Sequence, residues 1–337
     1  MSDMTRSDRS DRFDRFDRFD RFDDTRRRAP RALITGVSGF TGRYMAARLA
    51  ADGYRVWGTV RAGESVGDEG APGGITPLAA DLLDTEALAH AVETVQPDVV
   101  VHLAAVANVA NGDVARTYVV NVVGTRNLLD ALAHQRHVPR AVLLASSANV
   151  YGNATPGVID EAVAPQPAND YAVSKLAMEY VAKRWNAQLP LVIARPFNYT
   201  GVGQSTDFLL PKIVEHYARG DRTISLGNTE VSRDFSNVRD VADAYAKLIA
   251  AAPRGETVNV CSGTGWTLGE VLAMLSRIAG YEIEVKVDPR FVRANEVRHL
   301  VGSNAKLRAI VGDSQRTPIE ATLRWMYDEA RKRFSTA

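Results

Sequence analysis

LITGVSGFTG, residues 33–42, is a short apolar run that stops in three glycines spaced three apart, Gly36, Gly39 and Gly42. The run reads as a strand, and Phe40 to Ala51 reads as the helix it feeds, with Thr41, Met45 and Leu49 sharing a face at i, i+4 and i+8. Each glycine has its own use in such a turn. The first permits the tight bend, the second lets backbone N–H groups approach a pyrophosphate, and the third lets helix pack on strand. The triplet alone is a weak signal, because glycines punctuate many strand-to-helix turns. Its place between a strand and a helix is what points to dinucleotide binding.

Outward from that loop, short β-like runs alternate with helical ones. YRVWGTV (54–60) and ITPLAA (75–80) read as strands, and Asp84 caps a helix whose Leu88, Ala91, Val92 and Val95 recur at helical spacing. DVVVHLA (98–104) and RAVLLAS (140–146) are unbroken apolar runs of the kind buried on both faces of a parallel sheet. A long helix with Gly124, Leu128 and Leu132 in one row separates them. A helix around 169–187, the strand LVIAR ending at Arg195, a helix over 207–219, the helix NVRDVADAYAKLIAA (237–251), the strand TVNVC (257–261) and a last helix near 318–334 complete the pass. The alternation predicts a Rossmann-type α/β fold: a doubly wound parallel sheet with a smaller mixed α/β C-terminal substrate portion. The expected division is a tail over 1–30, a dinucleotide-binding portion over 31–190 and a mainly substrate-binding portion over 191–337, the last two interleaved.

The chain has 337 residues, 45% of them hydrophobic, enough to bury a substantial core. Its 41 basic and 40 acidic residues leave a net charge of +1, which suggests neither a nucleic-acid nor a membrane surface. The single cysteine, Cys261, rules out an internal disulfide and fits a reducing compartment, so a cytoplasmic location is expected. No histidines fall at H-x-x-x-H or H-E-x-x-H spacing, and no metal is expected. The first 30 residues carry the repeat DRFDRFDRFDRFDD, whose three-residue period suits neither helix nor strand; a disordered tail is expected. It has no apolar stretch of secretory-signal type and too many acids for a transit peptide.

The second strand usually decides which nicotinamide dinucleotide is held, through an acidic residue for a ribose 2′-hydroxyl or an arginine for a 2′-phosphate. In WGTVRAG no Asp or Glu follows Val60, and Arg61 does. NADP(H) is therefore favoured, with NAD(H) the other option. Asp81, after the third strand, is placed to accept from an adenine amino group, or simply to begin the turn before Asp84.

SSANVYG (146–152) ends the fifth strand, and Tyr171-Ala-Val-Ser-Lys175 lies on the helix that follows. Four residues apart, the two side chains leave one helical face. A tyrosine with a pKa of about 10 is a poor acid or base at neutral pH, but a neighbouring ammonium and a cationic nicotinamide both favour its phenolate. Lys175 also reaches toward the ribose hydroxyls of a dinucleotide, and Ser147 toward a substrate oxygen. A Y-x-x-x-K pattern alone is common by chance. Its order after the glycine loop and a serine-rich strand end makes it specific.

With LITGVSGFTG, VVHLAA, VNVVGT, SSANVYG, YAVSK, ARPFNYTGVGQ, SRDFSNVRD and VNVCSG in this order, the chain resembles the extended short-chain dehydrogenase/reductase family acting on nucleotide sugars, from about Arg31 to about residue 315. The resemblance implies a catalytic set of Ser147, Tyr171 and Lys175. It counts Phe40, Asp81, Leu82, Leu103 and Ala104 among the cofactor contacts, beside Gly36, Gly39, Gly42, Arg61 and Lys175. It implies that Asn198 and Arg233 meet the sugar nucleotide, that Arg293 and Glu296 of VRANE grip its diphosphate and ribose, and that the enzyme is a homodimer through two long helices near 115–135 and 169–187.

Members of that family share hydride transfer and differ in the additional acids and bases. A dehydratase resembles others in carrying an Asp-Glu pair directly after the hydroxyl residue, where this chain has Ala148 and Asn149. An epimerase-reductase would need a cysteine and a histidine that AAVANVAN (104–111) does not offer. Two readings remain: a 4-ketoreductase of a nucleotide-linked 4-keto-6-deoxyhexose, and a 4-epimerase with tightly held NAD. ARPFNYTGVGQ, SRDFSNVRDV and DPRFVRANEVRHLVGS look most similar to reductases that turn GDP-4-keto-6-deoxy-D-mannose into GDP-D-rhamnose, with the talose epimer the other product of the same reduction. A binding protein without catalysis on the same fold is a third reading, against which the intact Ser147, Tyr171 and Lys175 argue.

Overall fold

The computed structural model describes residues 28–61, 63–64, 74–107, 113–153, 157–288 and 299–335. The DRF repeat and the stretch holding Arg293 and Glu296 lie outside the described residues. Chain order begins with β1 (Arg31–Thr35), α1 (Phe40–Ala51), β2 (Arg55–Val60), β3 (Ile75–Ala79), α2 (Thr85–Val95) and β4 (Val99–His102). Next come α3 (Val114–Tyr118), a π-helical turn (Val119–Gly124), α4 (Thr125–Ala133), β5 (Ala141–Ala145), a 3-10 turn (Ala148–Tyr151), β6 (Val158–Ile159) and α5 (Asp170–Ala182). The second half adds β7 (Leu191–Pro196), β8 (Asn198–Thr200), α6 (Leu209–Arg219), β9 (Thr223–Leu226), β10 (Ser232–Asn237), α7 (Val238–Ala251), β11 (Thr257–Val260) and β12 (Gly265–Thr267). The chain closes with α8 (Leu268–Ala279), β13 (Glu284–Val287), β14 (His299–Gly302), α9 (Ala305–Val311) and α10 (Ile319–Ser335).

Seven strands form one parallel sheet in the order β11-β7-β5-β4-β1-β2-β3. The apolar runs explain its centre: β1, β4 and most of β5 are buried on both faces. One face is packed by α1 and α7 over Met45, Leu49, Val241, Tyr245 and Leu248, the other by α2, α4 and α5 over Leu88, Val92, Leu128, Leu132 and Met178. Asp84 caps α2 by accepting from Ala87 N at 2.9 Å, and the apolar row of that helix, Leu88, Ala91, Val92 and Val95, is buried as its spacing requires.

Strand order reverses between β1 and β4, so the crevice of this sheet opens at the carboxyl ends of those two strands. The glycine loop follows β1 and Leu103 and Ala104 follow β4. β7 and β11, from the second half of the chain, complete the large sheet. The rest of that half builds a smaller sheet, β12-β10-β14-β6 with β8 beside β10, a two-stranded piece, β13-β9, and a separate core under α6, α8 and α10. Among the described residues no helix is long and apolar enough to cross a membrane, and no group of three His, Cys, Asp or Glu side chains is placed to hold a metal ion.

Candidate active site

The glycine loop is tight for steric reasons that the structure makes explicit. Gly36 has φ +72°, and a Cβ there would lie 2.8 Å from the Ala104 backbone; one on Gly42 would lie 2.3 Å from the Gly36 carbonyl oxygen. Gly39 is exposed, caps α1 without any side-chain hydrogen bond, and donates its N–H to Gly36 O at 3.1 Å. The first turn of α1 holds no acid. The positive end of a 12-residue helix therefore carries neither a side-chain cap nor an acid in its first turn, which fits a pyrophosphate.

The neighbouring candidates support this loop. Leu103 N donates to Thr35 O at 3.1 Å and Ala104 N to Thr35 Oγ1 at 3.3 Å, fixing the far wall of the crevice. Phe40 stacks on Tyr199, and the Tyr199 hydroxyl meets Thr41 Oγ1 at 2.8 Å, so the loop is clamped to β8. Asp81 accepts from Leu83 N at 2.8 Å through Oδ1, while Leu82 is buried against Gly124. Arg61 directly follows β2 and is paired with Glu64.

At the end of β5 the three chemistry-bearing side chains come together. Ser147 begins the 3-10 turn, accepts from Asn149 N at 3.2 Å and is hydrogen-bonded to the Tyr171 hydroxyl. Lys175, one helical turn on, is buried and donates from Nζ to Ala145 O at 2.8 Å, with Nζ 6.0 Å from the Tyr171 ring centre. Burial pushes the Lys175 ammonium down to about 8, against the opposing pull of the Glu179 carboxylate.

The packing around Tyr171 works against its phenolate. Burial, and then the nearby Tyr199, push its pKa above the ordinary tyrosine value, and the Ser147 hydrogen bond only partly offsets them. The buried surroundings thus disfavour the charged form of this hydroxyl.

Four residues beneath the site carry no signal in the Y-x-x-x-K pattern. Glu179, one turn beyond Lys175, accepts from Arg195 Nε at 2.9 Å, from Arg195 Nη2 at 2.6 Å and from Ser146 Oγ. Arg195 Nη1 reaches Tyr151 OH at 3.0 Å, and that hydroxyl donates to Asn259 Oδ1 at 2.7 Å. Asn121, in the π-helical turn, accepts from Val106 N at 2.8 Å and donates to Ser174 Oγ at 3.0 Å; Ser174 in turn donates to Tyr171 O at 2.7 Å. His102 joins Thr35 and Thr125 through its two ring nitrogens, at 2.6 and 2.8 Å, and burial, aided by Lys175, pushes its pKa down to about 3. The available sequence signal was a charged or polar residue inside an apolar run, since such residues are buried only when paired.

Among the proposed substrate residues, Asn198 opens β8 opposite Phe235 of β10 and Arg233 lies in β10, both half-buried. Arg233 donates from Nη1 to Ser232 O at 2.9 Å. Arg293 and Glu296 lie outside the described residues.

Comparison with known proteins shows the family. Residues 32–261 match the model of the NAD dependent epimerase/dehydratase family. A GDP-6-deoxy-D-talose 4-dehydrogenase of Aggregatibacter actinomycetemcomitans is 34% identical over 248 residues, 73% of this chain and 84% of its own. A GDP-6-deoxy-D-mannose reductase of Pseudomonas aeruginosa is 34% identical over 305 residues, 87% of this chain and 95% of its own. Among solved structures, a Burkholderia cenocepacia protein provisionally named an epimerase is 62% identical with a TM-score of 0.87, covering 90% of this chain and 99% of that one. RMD of Pseudomonas aeruginosa complexed with NADPH is 32% identical with a TM-score of 0.78, covering 90% and 98%.

Proposed function

This chain belongs to the NAD dependent epimerase/dehydratase family, and on that premise we propose that it reduces the C4 ketone of a nucleotide-linked 4-keto-6-deoxyhexose, GDP-4-keto-6-deoxy-D-mannose foremost, with NADP(H) as its cofactor. The observation that carries the reading is the convergence of Ser147, Tyr171 and a buried Lys175 at the end of β5, with no carboxylate at Ala148 or Asn149. A ketone reduction needs one proton donor at the carbonyl oxygen and no further acid or base.

Gly36, Gly39 and Gly42 form the surface that fits the cofactor's pyrophosphate, and Arg61 supplies a cation for a 2′-phosphate. When bound, the dinucleotide supplies the hydride. The chain's residues do the rest. Ser147 orients the carbonyl oxygen, Tyr171 delivers its hydroxyl proton to that oxygen, and Lys175 stabilises the phenolate left on Tyr171 by its charge. Asn198 and Arg233 stand in the portion that meets the sugar nucleotide, together with Arg293 and Glu296.

The test is to mix enzyme, NADPH and GDP-4-keto-6-deoxymannose made in situ, and to assign the product by NMR. One NADPH consumed for each C4-reduced 6-deoxyhexose is the expected result, and the product's C4 configuration separates the rhamno from the talo epimer. A 4-epimerase is the second reading, favoured by the provisional name of the 62% identical Burkholderia protein. C4 interconversion of a UDP-hexose with no net NADPH consumption would replace the reductase by it.

A homodimer fits the surface. Val114, Val119 and Val123 on the segment from α3 through the π-helical turn, and Val173 and Tyr180 on the adjacent α5, are all exposed apolar side chains. A second copy laid on these helices removes them from water. Val123→Asp should shift the sedimenting species from dimer to monomer; a wild-type chain that sediments as a monomer refutes the assembly.

A further inference from the structure

Past the end of β2, just beyond WGTVRAG, stands a carboxylate, Glu64. Glu64 turns back so that Oε1 accepts from Arg61 Nε at 2.9 Å and also from Arg61 Nη2. Its other oxygen, Oε2, accepts from Arg61 N at 3.3 Å and from Ser38 Oγ at 3.4 Å. Ser38 stands between Gly36 and Gly39, so the donors come from two loops at the carboxyl ends of adjacent parallel strands. A guanidinium, a backbone N–H and a hydroxyl converging on one oxyanion are the donor set that a phosphate monoester takes. The pair is open to water, with side-chain exposures of 60% for Arg61 and 33% for Glu64, so it is weakly held and exchangeable.

We infer that Glu64 is an internal competitor for the 2′-phosphate of the dinucleotide: it occupies the Arg61–Ser38 cradle, and NADPH binds by displacing it. The inference rests on the dinucleotide reading of the glycine loop. A 2′-hydroxyl is a donor and needs no such displacement, because Glu64 can accept from it while still paired with Arg61. A 2′-phosphate is an acceptor of the same sign as Glu64, so it must move the carboxylate aside to reach Arg61 and Ser38. Glu64 therefore narrows the preference for NADPH over NADH that Arg61 creates.

The test uses equilibrium titration of the full chain with NADPH and with NADH, read by dinucleotide fluorescence without any sugar nucleotide. Glu64→Gln removes the charge and keeps the size and the acceptor oxygen. It should tighten NADPH by roughly tenfold, as expected for one like charge removed at close range, and move NADH by less than about twofold. In an Arg61→Ala background the gain from Glu64→Gln should shrink, since the cradle it uncovers has lost its cation. A melting curve unchanged from wild type is expected, because the pair is exposed. An unaltered NADPH-to-NADH ratio, or weaker NADPH binding by Glu64→Gln, overturns the inference while leaving the dinucleotide reading standing. Failure of the wild-type chain to bind either dinucleotide overturns both.

Discussion

Tyr171→Phe should lower turnover by about 10²–10⁴-fold, the usual range for one positioned acid, while leaving the binding of sugar nucleotide nearly unchanged. The hydroxyl is the only atom group removed, and its proton is needed in the transition state rather than in the bound complex. Ser147 and Lys175 stay where they are: Ser147 is held by Asn149 N and Lys175 by Ala145 O, neither through the phenol. Single-turnover reduction, with binding followed by calorimetry, separates the two quantities. A fall of less than tenfold in the chemical step would mean that another group delivers the proton.

The largest stability loss should come from Glu179→Ala. The ion pair it forms with Arg195 is buried, with side-chain exposures of 1% and 7%, and Arg195 uses two nitrogens on the two carboxylate oxygens. Among the described residues, removing the carboxylate leaves the buried guanidinium with Tyr151 OH as its one hydrogen-bond partner and takes away the partner of the Ser146 hydroxyl. A buried charge so stranded costs about 3–5 kcal/mol, measurable by chemical denaturation. Replacing both partners with apolar residues of similar volume should recover much of that loss, because no unpaired charge remains. A Glu179→Ala penalty below about 1 kcal/mol would show that water reaches Arg195 and that the pair is not sealed.

The same network ties stability to the site. Ser146 lies between Ala145, whose carbonyl holds Lys175, and Ser147. Glu179 therefore ties α5, which carries Tyr171 and Lys175, to the end of β5 that Ser147 follows, and Arg195 extends that tie to β7. None of this was legible as a motif, since Glu179 and Arg195 are 16 residues apart and belong to different elements. The Y-x-x-x-K pair was legible, because a separation of four on a helix places both side chains on one face whatever surrounds them. The environment of Tyr171 was not. Burial pushes its pKa upward, and burial belongs to the packed protein rather than to the helix.

What the sequence determined by itself is whatever local periodicity or a local turn encodes. The strand-helix order of the first half, the cap at Asp84, the glycine loop and the Tyr171–Lys175 pair are all decided within a few residues along the chain. Only the tertiary structure decided the rest. It set β7 and β11 into the large sheet across a linear boundary at residue 190, and it brought β8, β10, β12, β14 and β6 together as a second sheet from short, unpatterned segments. It also joined Glu179 to Arg195 and turned Glu64 onto Ser38, 26 residues away. Partners that far apart are chosen by which surfaces and charges must leave water together, and no short window of sequence contains both halves of that choice.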